Sequence, residues 1–78
     1  MFNLKNGYSS IKSIKDFGKI IVLNDLRIFE VSSFDRFNTL LWLPCDKVVV
    51  TNFVGSKFKI QRINRFGKLE IVGATLLS

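Results

Sequence analysis

The chain contains no histidine, and cysteine, proline and tryptophan occur once each. Without histidine, the pairs that activate a serine or cysteine nucleophile are missing, and so is the commonest metal ligand. Cys45 stands alone, which excludes an intrachain disulfide. Flanked by Asp46 and Lys47, with no base or resolving cysteine, it reads as a small packed hydrophobe and not as a reactive thiol. Glycine is scattered, so that Gly18, Gly55 and Gly67 are isolated turn residues and no phosphate-cradling loop is present. Acidic residues are few. Asp16, Asp25, Asp35 and Asp46 fall at or beside turns, where aspartate bonds nearby backbone, and a glycosidase-like pair of Glu30 and Glu70 needs a cleft for which so short a chain has little room. No apolar run approaches the roughly 18 residues of a membrane span, and Met1 to Ser10 is too polar for the centre of a secretory signal. These absences leave no catalytic, metal or cofactor site to name and no membrane partner. They also favour the cytoplasm over an oxidising compartment.

What the chain does have is apolar mass and positive charge. Of its 78 residues, 47% are hydrophobic and eight are phenylalanine. A domain this small buries only roughly 60% of its unfolded surface, so a dense core is what it needs. Twelve Lys and Arg against six Asp and Glu give a net charge of +6. That balance steers anionic partners towards the surface, nucleic acid first among them, although lysine also serves solubility alone.

Taken in order, the pattern is one of short strands and tight turns. Residues 1–8 read as a weakly ordered lead-in and 9–78 as one domain. Ile11 and Ile14, three apart, fit a strand carrying a bulge. Asp16-Phe17-Gly18-Lys19 then turns the chain, with glycine supplying positive φ. Ile20 to Leu23 is apolar on successive residues and predicts a strand covered on both faces, and Asn24-Asp25 breaks it. In the next strand Phe29 and Val31 face inward. Residues 33–41 predict a short helical or 3₁₀ connector, with a serine hydroxyl as cap and Asp35 in its first turn. Lys47 to Val54 is the longest strand, with Val48, Val50 and Val54 on one face and Val49, Thr51 and Phe53 on the other. Gly55-Ser56 makes a hairpin into Lys57 to Gln61, where Phe58 and Ile60 point inward. After the turn at residues 64–68, Leu69 to Leu77 forms a last strand with a bulge or barrel corner at Gly73. Five or six such strands predict a small antiparallel all-β barrel, either SH3-like or of the oligonucleotide-binding type, whose closure removes unpaired edges.

The stretch Trp42 to Val50 is the structural hub. Trp42 and Leu43 are expected to plug the barrel, Pro44 to end the connector, and Cys45 and Asp46 to form the turn that launches the long strand. One motif occurs twice. Ile14-Lys15-Asp16-Phe17-Gly18-Lys19-Ile20 and Ile63-Asn64-Arg65-Phe66-Gly67-Lys68-Leu69 share Ile, Phe, Gly and Lys in register, and the reading adopted is one turn chemistry used twice.

The functional candidate is the basic hairpin. Lys57, Lys59, Arg62, Arg65 and Lys68 lie along it, with Phe66 at its turn and Phe53 on the neighbouring strand, and cations around exposed aromatics are how single-stranded nucleic acid is held. The same lysines also protect a solvated hairpin against aggregation. A second candidate follows from the doubly apolar strands, whose outer faces need a cover: another subunit, a partner protein, or Phe2, Leu4 and Ile11 folding back.

The residues Gly18-Lys19-Ile20-Ile21-Val22-Leu23-Asn24-Asp25, Phe29-Glu30-Val31, Asp35 and Leu41 to Val50 resemble a group of small uncharacterised bacterial β-barrel proteins. Their pattern runs Leu-x-Asp-Gly-Ser-x-Trp-Glu-Val, a polar connector, then Trp-x-x-Gly-Asp-x-Val-x-Val. The resemblance spans about half the chain and implies a fold more than a function. Leu26-Arg27 stands where the pattern has Gly-Ser, Phe29 where it has Trp, and Cys45 where it has Gly. The shorter match Asp46-Lys47-Val48-x-Val50 is similar to bacterial translation initiation factor one and other oligonucleotide-binding barrels. The expectation from all of this is a non-enzymatic interaction or structural module, self-associating or bound to a partner protein, with single-stranded nucleic-acid binding as the alternative.

Overall fold

The structure is a computed structural model; it describes residues 7–64 and 66–78, and of Phe53 the backbone only. Six strands, β1 (Gly7–Lys15), β2 (Ile20–Leu23), β3 (Ile28–Val31), β4 (Lys47–Val54), β5 (Lys57–Ile63) and β6 (Leu69–Leu76), close into a barrel in the order β1-β2-β3-β6-β5-β4. Every neighbouring pair is antiparallel. Two three-stranded meanders are thus joined by one long connection that carries β4 back beside β1, a Greek-key path. That connection holds α1 (Arg36–Thr39), a single helical turn.

The core follows from strand periodicity. Ile21 and Leu23, Phe29 and Val31, Val48 and Val50, Phe58 and Ile60, and Val72 and Ala74 sit two apart on successive strands and are all buried. Phe29 and Phe58 meet edge to face across the interior, with centroids 5.1 Å apart at 71°. The expected bulge in β1 is present as a register shift between Ile11 and Ser13. It lets Ile11 and Ile14 both pack on the core, although they are three residues apart.

Several turns bend where L-residues are unfavoured. Leu26 lies in the hairpin loop of residues 24–27 at φ 76°, and Cys45 follows Pro44 in a turn at φ 74°, closed by Asp46 N–H donating to Leu43 O. Both occupy positions where the resembled pattern has glycine, so the left-handed backbone is kept without it. Asp16, Phe17 and Gly18 are three consecutive positive-φ residues, at 54°, 56° and 89°. A Cβ on Gly18 would press into the Arg36 carbonyl oxygen and lie 2.8 Å from Thr39 Oγ1, so this glycine is required twice over. Thr39, the one buried polar residue among those described, donates its hydroxyl to Gly18 O and ties the connector to the first turn.

Some expectations are corrected. β1 starts at Gly7, so residues 7 and 8 belong to the barrel and not to a lead-in. Ile20 and Val22 are half-buried, so β2 is fully covered on its inner face alone. Val54 is exposed, because a register shift between Asn52 and Val54 takes it off the inner face that Val48 and Val50 share. Gly73 makes no bulge: pairing with Lys59 runs in unbroken register, and its N–H donates to Asp35 Oδ2 where the connector crosses β6. Asp35 is therefore spent on β6, and α1 has no side-chain cap. Leu43 is exposed, so Trp42 alone is the plug. Cys45 is exposed rather than packed, since the third position of its turn points the side chain away from the barrel. Ile11 is core, not cover. Phe2 and Leu4 lie outside the described residues.

Candidate interaction surfaces

The hub resolves into a closed polar cluster at one mouth of the barrel. Trp42 is 2% exposed and donates its indole N–H to Glu70 Oε1 at 3.0 Å. Arg62 lies over the indole, 5.9 Å from the ring centroid, and bonds the same carboxylate oxygen at 2.8 Å. Its Nε is 2.8 Å from Asp46 Oδ2, an ionic contact in which the N–H is misaligned and finds no hydrogen-bond acceptor. Asp46 Oδ2 also accepts from Leu43 N–H at 2.9 Å. Trp42, Asp46, Arg62 and Glu70 thus lock the end of the connector to β4, β5 and β6.

This placement removes Arg62 from the basic hairpin. Lys57, Lys59 and Gln61 point outward on β5, and Arg62 shares the inward parity of Phe58 and Ile60. With its side chain only 12% exposed and paired to two carboxylates, it offers no charge to a partner. Lys57 and Lys59 are exposed on the outer face, with Lys57 Nζ donating to Thr75 Oγ1 at 3.2 Å. Phe66 and Lys68 are exposed in the turn after β5, which Asn64 holds by accepting the N–H groups of both. Arg65 and the Phe53 side chain lie outside the description. Of the predicted stripe the structure removes Arg62, and among the described residues Lys57, Lys59, Phe66 and Lys68 stay exposed.

Arginine and lysine divide the work. Arg27 pairs with Asp25, Arg36 with Glu30, and Arg62 with Asp46 and Glu70. Lys12, Lys15, Lys19, Lys47 and Lys68 make no ion pair, so among the described residues the unpaired positive charge is carried by lysine. Glu30 and Glu70 are held by different arginines. Burial opposes ionisation of Asp25, but hydrogen bonds from the Arg27 side chain and backbone, helped by the guanidinium charge and by Ser9, outweigh it and hold this carboxyl below its ordinary value near 3.8.

The outer sheet face carries what residue-by-residue reading missed. Tyr8, Val49, Gln61 and Ile71 are register partners across β1, β4, β5 and β6, and Ile63 pairs Leu69 in the next row. Tyr8 is 86% exposed and Ile63 69%. Between them runs a groove of about 380 Å³ lined by Tyr8, Lys47, Val49, Gln61, Ile63 and Leu69. The signal was the outward parity of Ile63 after Lys57, Lys59 and Gln61, and it needed the β1–β4 and β5–β6 pairings to become a surface.

Fold and surfaces together define a small six-stranded Greek-key barrel with a sealed interior and partly apolar outer surfaces. No family model, curated protein or solved structure matches the chain.

Proposed function

We propose that the chain is a non-enzymatic interaction module that docks a protein surface, a second copy of itself included, on the outer face of β1, β4, β5 and β6. The observation that carries this reading is the exposed apolar surface of Tyr8, Ile63 and Leu69, with half-buried Val49 beneath it, on a barrel whose own core is already complete. A closed barrel has no free strand edge to lend to a partner, so recognition falls to side chains on its faces and ends. Light scattering across a concentration series tests self-association, and Ile63→Asp is expected to shift any dimer to monomer while leaving the far-ultraviolet spectrum unchanged. A strict monomer at every concentration overturns self-association and directs the search to a hetero-partner.

A second reading is favoured by Phe66, which is 86% exposed beside Lys68. A single-stranded nucleic acid could stack there and track Lys57 and Lys59. Titration of a labelled oligonucleotide is then expected to show affinity falling steeply between low and high salt. Absence of binding at low salt ends that reading.

A further inference from the structure

The strand order places the connections of the barrel unequally. Residues 16–19, 32–46, 64 and 66–68 all lie at one end, and residues 24–27 and 55–56 at the other. Each of the three connections at the first end carries phenylalanine on its surface: Phe17 is 89% exposed, Phe34 94%, Phe37 83% and Phe66 86%. Residues 24–27 and 55–56, the two connections at the other end, contain none. The two Phe-Gly-Lys turns of the sequence, Phe17-Gly18-Lys19 and Phe66-Gly67-Lys68, are therefore brought to the same end by the fold.

We infer that this connector end is a docking surface for an anionic lipid bilayer, with the phenylalanines entering the interface and Lys15, Lys19 and Lys68 lying among the headgroups. Rings exposed to this degree stand clear of the protein and line neither the outer-face groove nor the smaller one beside Gly73, which suits a deformable apolar medium better than a rigid complementary one. Leu41, 72% exposed, and Leu43, 51% exposed, accompany them on the connector. Aliphatic side chains add to burial in lipid and nothing to base stacking, which separates this surface from a nucleic-acid platform. Charge matches too. Lys15, Lys19 and Lys68 form no ion pair among the described residues, while the carboxylates of this end are largely engaged: Asp46 and Glu70 by Arg62, and Asp35 by Gly73 N–H. Asp16 is flanked by Lys15 and Lys19. The two loops nearest each other are held rigidly, because Gly18 packs against the backbone of Arg36 to Leu40 and accepts from Thr39. Their phenylalanines are thus presented together on backbone already ordered before binding, so that side-chain rotamers alone remain to be fixed. This surface is distinct from the outer-face groove and does not depend on it.

The test is sedimentation of the full chain with extruded vesicles of phosphatidylcholine alone and of equal parts phosphatidylcholine and phosphatidylglycerol. Binding to the anionic vesicles at low salt and release at high salt is expected, with a loss of about fivefold for each of Lys15→Gln and Lys19→Gln. Phe34→Ser combined with Phe37→Ser is expected to lower partitioning by at least about tenfold. Both sites are exposed, so circular dichroism should report an intact fold. A second readout fixes the orientation: Phe37→Trp should shift its emission to the blue on vesicle addition, and Leu26→Trp, at the opposite end, should not, the buried Trp42 giving a constant background. No sedimentation with anionic vesicles at low salt overturns the proposal. So does an equal shift from both tryptophan variants, or a Phe37→Trp response to an oligonucleotide but not to vesicles.

Discussion

The two ends of the barrel solve the same closure problem with opposite materials. At the hairpin end, short polar turns satisfy themselves. Asp25 accepts from Arg27 N–H and pairs with its guanidinium, and Asn52 Nδ2 donates to Gly55 O and Lys57 O. At the connector end, a buried tryptophan with its ion cluster seals the interior, and phenylalanines stand outside it. The difference teaches that an end closed by hydrogen-bonded turns needs little apolar surface. An end crossed by a long connection uses a large plug, and the apolar residues that do not plug are left for something else.

The largest expected effect breaks the connector end alone. Trp42→Ala removes a side chain that is 2% exposed and strands Glu70 and Arg62 without their indole partner. A loss of about 3–5 kcal/mol, comparable to the whole stability of a small domain, should leave the chain unfolded in thermal and urea melts. Retention of a cooperative transition near the wild-type midpoint would show that the cluster is not a plug. No residue of the hairpin-end turns 24–27 and 55–56 is expected to be so costly, and Leu26→Ala, 70% exposed, should change stability little.

Glycine substitutions sharpen the comparison, because the twin turns look alike in sequence and differ in space. Gly18→Ala meets both a φ of 89° and the connector backbone, whereas Gly67 at φ 77° has nothing within 4 Å of a new Cβ. Overpacking added to left-handed strain predicts a loss of roughly 2–5 kcal/mol for Gly18→Ala. For Gly67→Ala, and for Gly55→Ala at the hairpin end, about 1 kcal/mol is expected. Chemical denaturation separates these values. Equal effects at Gly18 and Gly67 would mean that the connector does not press on the first turn.

The strands and turns were legible because period-two alternation and Gly, Asn and Asp punctuation are local signals. β4 and the Gly55-Ser56 hairpin fall where the sequence puts them. Ring closure was not legible as an order, since the β1–β4 and β3–β6 pairings join residues far apart in the chain. The same holds for the Trp42–Asp46–Arg62–Glu70 cluster. One signal was present and outweighed: with Lys57, Lys59 and Gln61 outward, parity alone turns Arg62 inward, but its charge argued for the surface. The repeated Phe-Gly-Lys turn was visible in the sequence, yet only the topology puts both copies at one end.

At the hairpin end, acid should tell. The Asp25 carboxyl is held below its ordinary value chiefly because the Arg27 hydrogen bonds outweigh its partial burial. Its contribution is therefore complete above pH about 4 and is lost as the pH falls through the folded-state value. Stability curves of the wild type and of Asp25→Asn should differ at neutral pH and converge on the acid side. A difference that stayed constant down to the acid limit would assign the effect to shape and not to charge.

The smallest effect asks whether the two ends share a backbone rule. Leu26 at φ 76° and Cys45 at φ 74° are exposed left-handed residues, one at each end. Relief of left-handed strain is worth about 1–2 kcal/mol, and the extra unfolded-state freedom of glycine takes back about 0.5–1 kcal/mol. Leu26→Gly and Cys45→Gly should each stabilise the chain by about 0.5 kcal/mol in urea melts, through the backbone alone. If Leu26→Gly stabilised and Cys45→Gly did not, the thiol at residue 45 would be holding the connector end in a way its exposure does not show. The asymmetry between the ends would then extend from the plug to the turn that follows it.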